Sequence, residues 1–123
     1  MKSPDSELRY EAVWALCLHW GHPRTLPMLR AMLAGGETEL EVQILAARSI
    51  CSMVERSGHP DEQSFKTLAR VALDESATAE LRGVAYTSLR AAAGLLSAEQ
   101  EASLPEDIRQ LQVDWEWLRA MAG

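Results

Sequence analysis

Cysteine is scarce in this chain: Cys17 and Cys51 are the only two in 123 residues. Two cannot build a disulfide framework, and free thiols beside five methionines fit a reducing compartment, the cytoplasm. Long apolar runs are lacking as well. The longest, Ala12 to Leu18, falls far short of the roughly 20 residues that a membrane-spanning helix needs. The opening Met1-Lys2-Ser3-Pro4-Asp5-Ser6-Glu7 is polar and has no apolar stretch of the kind a secretory leader carries. No segment alternates apolar and polar residues with β-branched side chains, so no strand is expected. Glycine-rich phosphate loops, a nucleophile elbow and the HExxH pattern are missing too, which argues against an enzyme. Lysine is nearly absent: arginine outnumbers it ten to two, a bias typical of GC-rich bacterial genomes.

What is present is the composition of one packed domain. Apolar residues make up 47% and charged residues 24%, close to the globular average, which excludes a disordered or collagenous chain. A chain of this length buries roughly two thirds of its unfolded surface. The net charge of −6 is unevenly spread: residues 1–30 carry four basic against three acidic groups, whereas residues 97–123 carry two against six. Such a field repels a phosphate backbone, because nucleic-acid binding depends on cation–phosphate contacts. Nucleic acid is therefore a poor partner, and a protein with a basic surface a better one.

The chain repeats itself. Leu8-Arg9, Ala12 and Leu16 have the spacing of Val42-Gln43, Ala46 and Ile50, and again of Leu81-Arg82, Ala85 and Leu89. Steps of four residues keep each trio on one stripe of an α-helix, with alanine at its centre where a neighbouring helix approaches closely. The helices between them also match: Leu26, Leu29 and Leu33 precede Phe65, Leu68 and Ala72 by the same offset that separates Val42 from Leu81. Gly21-His22-Pro23 and Gly58-His59-Pro60 punctuate the copies, glycine suiting a left-handed helix end and proline the first turn of the next helix. The unit is a helix pair. The pattern predicts an all-α chain of about six helices, near residues 6–20, 23–34, 38–57, 61–74, 77–94 and 105–121, with room for a helical turn in 97–104.

The segment Leu26-Pro27-Met28-Leu29-Arg30-Ala31-Met32-Leu33, followed by Glu39-Leu40-Glu41-Val42-Gln43-Ile44-Leu45-Ala46-Ala47, resembles a HEAT repeat. The second unit, from Ser64 to Gly94, places Leu81-Arg82 where the family usually has an apolar residue followed by arginine. Gln43 departs from that arginine, and Gly83 sits inside a helix at about 1 kcal/mol relative to alanine. The resemblance implies a short α-α superhelix, a single domain over 1–123: an unpaired helix 6–20, repeat units 22–57 and 59–94, and a capping helix 105–121. It also implies that helices 6–20, 38–57 and 77–94 line a concave face, and that the chain is a binding module.

Candidate functional residues follow from what the repeat does not require. Cys17, His19 and His22 do not make a metal site on this reading: Cys17 aligns with Cys51 and His19 with Met53, both core-proximal, and zinc wants four convergent ligands. No metal or cofactor is expected. Paired acids such as Asp74-Glu75 and Glu106-Asp107 fall at helix ends, where carboxylates suit the helix dipole or water. Trp14 stands where the other copies have Arg48 and Thr87, and with Tyr10 and Cys17 it makes a second apolar stripe. In the last helix Ile108, Leu111, Trp115 and Leu118 form the inward face, which points Trp117 outward with Val113 and Met121. These aromatics either seal the ends of the array or anchor a partner, with Arg9, Arg48 and Arg82 adding polar contacts. The expected partner-binding set is Tyr10, Trp14, Arg48, Arg82, Val113, Trp117 and Met121. Small acidic bacterial proteins resembling this one include immunity-type inhibitors that cover a basic toxin. Bilin lyases and DNA glycosylases with HEAT-like repeats are the enzymatic alternative, and a self-associating structural unit a third.

Overall fold

The computed structural model describes Leu8, Glu11, residues 25–37 and residues 39–123. From residue 25 onward the elements are α1 (Thr25–Ala31), a π turn (Met32–Gly36), α2 (Leu40–Ser57), α3 (Glu62–Leu73), α4 (Ala79–Ala92), α5 (Ala98–Ser103), a 3-10 turn (Ile108–Gln110) and α6 (Trp115–Ala122). The architecture is all-α, with no strand among the described residues. None of the described helices is long and apolar enough to cross a membrane.

The stripes read from the sequence are the packing faces. Leu29, Ala46, Ile50, Leu68, Ala72, Ala85 and Leu89 are all fully buried, and Val42 and Leu81 nearly so. Burying a leucine or isoleucine side chain contributes about 1.5–3 kcal/mol, so these few residues dominate the core. α2 lies beside α4 in one layer, while α1 and α3 form the layer behind them and α6 packs on α3. Alanine at the α2 and α4 stripe centres lets the helices close on one another. Leu8 departs from its copies. It is helical yet 65% exposed.

The corners are held locally. Gly58 ends α2 with φ 69°, a left-handed conformation that glycine adopts without a Cβ clash. Behind it, the Ser57 hydroxyl donates to the Val54 carbonyl at 2.8 Å. Within the back layer, Arg30 of α1 reaches the Asp61 carboxylate at 3.0 Å, ahead of α3.

The C-terminal part corrects the sequence reading. Residues 105–121 do not make one helix: the 3-10 turn ends at Gln110, Leu111 is extended (φ −101°, ψ 150°), and α6 starts only at Trp115. Two aspartates cause the break. Asp107 accepts the Arg109 N–H at 2.8 Å and Asp114 accepts the Trp117 N–H at 3.0 Å, so each starts its own helical piece. Ile108 and Leu118 are buried, but in two separate elements, and Trp115 is 40% exposed rather than inward. A capped α5 precedes this segment: Ser97 Oγ accepts the Gln100 N–H and Gln100 Oε1 accepts the Ser97 N–H.

Candidate functional site

The chain lays its own C-terminal segment, a strap, across the face presented by α2 and α4. Residues 98–110 touch both helices. Arg48 of α2 pairs with Glu106 at 3.0 Å, both side chains about half exposed. The 3-10 turn packs on α4. A methyl group on Gly83 would overlap the Glu106 carbonyl oxygen and come within 2.8 Å of the Ile108 nitrogen. Gly83 is thus a close-approach glycine, which accounts for its place inside a helix. The strap does not fill the face completely. A cavity of about 370 Å³ lies beneath it, lined by Arg48, Val84, Thr87, Glu101, Leu104 and Glu106 among others.

Of the residues singled out by sequence, Arg48 lies at this strap. Arg82 does not stand free on the face: its Nε donates to the Ala72 carbonyl at 2.9 Å, supplying a partner to the last turn of α3. Gln43, its counterpart in the preceding repeat, does a similar job by donating Nε2 to the Glu37 carbonyl at 2.8 Å. The departure from arginine keeps the donor and drops the charge.

Trp117 faces inward, the reverse of the expected orientation, because α6 begins later than the helical spacing implied. Its ring meets Tyr86 edge to face, with centroids 6.1 Å apart at 84°. The Arg90 guanidinium lies 4.9 Å from the Trp117 ring centre and 5.8 Å from that of Tyr86. The Tyr86 hydroxyl accepts the Asp114 N–H at 3.0 Å, fixing the start of α6. Val113 and Met121 are partly buried against the same core. Trp115 is the tryptophan of α6 left to solvent. Tyr10, Trp14, Arg9, Cys17, His19 and His22 lie outside the described residues.

The electrostatics separate ordinary surface acids from one unusual group. Hydrogen bonds from Ser76 hold the Asp74 carboxyl below the usual range, and those from Arg109 do the same for Asp107. Both are helix-end carboxylates, as their positions implied. Glu101 moves the other way: burial and the nearby Glu55 carboxylate push its pKa up, with Arg48 opposing. Cys51 is buried and donates its thiol hydrogen to Glu55 Oε1 at 3.1 Å, and burial followed by that bond pushes the thiol up. Sequence spacing shows Cys51 and Glu55 one turn apart on a helix. It carries no sign that Glu101, from α5, joins them.

A family model described as HEAT repeats matches residues 1–90. No curated protein and no solved structure gives a match. The matched span ends before the strap and α6.

Proposed function

The chain belongs to the HEAT-repeat family, and from that premise we propose that it binds a partner protein with a basic surface, acting as a non-enzymatic inhibitor of the immunity type. HEAT repeats are generally protein-interaction modules and typically non-enzymatic scaffolds. The observation that carries the finer reading is charge placement. The six acids of residues 97–123 outnumber two arginines, and Glu99, Glu106, Asp114 and Glu116 are exposed. An acidic edge speeds encounter with a basic protein and selects against acidic ones. Exposed Trp115, beside Glu116, supplies an aromatic anchor of the kind found at interface hot spots. Trp117, Val113 and Met121 support this edge from beneath by seating α6, Arg48 contributes where the strap meets α2, and Arg82 braces α3 against α4. Tyr10 and Trp14, by their sequence positions, supply a second contact stripe on the first helix. A basic bacterial toxin, such as a nuclease, fits this surface.

The test is a tagged pull-down from lysate of the source organism, run with wild type and with a Glu99→Gln/Glu106→Gln/Glu116→Gln variant that keeps its circular dichroism. The expected result is a stoichiometric basic protein that the variant fails to retain and that elutes with salt. Recovery of the chain alone, or of a partner indifferent to the three substitutions, would overturn the reading in favour of self-association or of a different surface.

A further inference from the structure

We propose that Cys51, Glu55 and Glu101 form a binding site for a thiophilic divalent cation of the zinc class. Cys51 and Glu55 lie one turn apart on α2, which stacks their side chains on one face. Glu101 arrives from α5. The cysteine sulfur and one carboxylate oxygen from each glutamate all lie within 4.8 Å of one another. Zinc bonds sulfur at about 2.3 Å and carboxylate oxygen at about 2.0–2.2 Å, so small side-chain rotations bring all three onto one ion. Cys51 closes the inner side of the site and exposed Glu55 leaves the outer side open, giving entry and room for a water as fourth ligand.

Two further observations point to a cation. Two carboxylates converge here, and among the described residues neither is ion-paired; Arg48, whose charge reaches Glu101, is engaged with Glu106 at 3.0 Å. Nor does the repeat require these residues. The positions equivalent to Cys51 and Glu55 hold Cys17 and Gly21 in the preceding copy and Arg90 and Gly94 in the next, so the thiol recurs once but its pairing with a carboxylate belongs to this copy alone. A sulfur donor among oxygens disfavours magnesium and calcium, which take oxygen ligands, and favours zinc and its neighbours. On binding, the Cys51 S–H bond gives way to a metal–sulfur bond and its proton passes to solvent by way of Glu55, its present acceptor. The ion staples α5 to α2 and so fastens the strap across the α2/α4 face.

The experiment uses the full chain, stripped with a chelator and kept reduced without added thiols. Cobalt(II) is titrated in as a coloured surrogate and then displaced with zinc. The expected result is one equivalent of cobalt with a near-ultraviolet thiolate-to-metal band, abolished by zinc, and a thermal midpoint that zinc raises. Cys51→Ser should lose the band and the thermal shift. Glu101→Gln and Glu55→Gln, each folded by circular dichroism, should each weaken zinc binding at least about tenfold. Cys17→Ser should leave all of this unchanged. No uptake, uptake indifferent to Cys51→Ser, or loss of the band with Cys17→Ser instead would overturn the proposal.

Discussion

The Glu106 carbonyl rests directly on the Cα of Gly83, with no space between them for a side chain. An alanine there would ordinarily stabilise a helix by about 1 kcal/mol. Here the added methyl meets backbone, and overpacking of that kind costs about 1–3 kcal/mol. Gly83→Ala is therefore expected to lower stability by about 1–2 kcal/mol in urea unfolding. A gain of about 1 kcal/mol, the ordinary helix-propensity effect, would mean that the strap does not lie on α4.

The tryptophans of α6 should differ sharply. Trp117→Ala removes a half-buried ring, its edge-to-face contact with Tyr86 and its cation contact with Arg90, and is expected to cost about 2 kcal/mol. Trp115→Ala should stay within about 0.5 kcal/mol, as surface substitutions usually do. Thermal melts of the two variants decide between this arrangement and its reverse.

Ser49 and Ser88 occupy equivalent positions of the two repeats, and both hydroxyls are buried without a hydrogen-bond partner among the described residues. A buried unpartnered hydroxyl is destabilising. Ser88→Ala should raise stability by about 1 kcal/mol, read from the denaturation midpoint at unchanged slope.

Glu101 gives a pH signature in the chelated protein. Its pKa in the folded chain lies above the ordinary value of 4.5, so the folded state binds more protons than the unfolded one in the window between the two values. Stability from this group therefore falls as pH rises through that window. Glu101→Gln should melt higher than wild type at neutral pH, with the difference closing below about 4.5. A difference that persists in acid would point to packing rather than charge.

Most of the helix-pair architecture was legible in the sequence because it depends on periodicity. Val42, Ala46 and Ile50 repeat as Leu81, Ala85 and Leu89, and such stripes cannot be buried except by packing helix on helix. The candidate site was much less legible. Ile108, Leu111, Trp115 and Leu118 have helical spacing, but Asp107 and Asp114 each offer a carboxylate to the backbone two or three residues on, and these local bonds outcompete one continuous helix. That break turns α6 so that Trp117 finds Arg90, a residue with no distinguishing mark in the sequence. Gly83 was visible as a misfit, while its reason, the backbone of Glu106 and Ile108 in a distant part of the chain, was not. The same holds for Glu101 beside Cys51, since contacts between distant elements leave no trace in local spacing.

The pairing of Arg48 with Glu106 bridges 58 positions along the chain, whereas each helix pair closes within one repeat. Contacts of long sequence separation wait on loop closure and form late. During synthesis the α2/α4 face thus stands bare until residue 106 has emerged, and once the chain is complete the strap is the layer that lifts first. Amide hydrogens of residues 98–110 should consequently exchange ahead of those in α2 and α4, through an opening that leaves both helices intact.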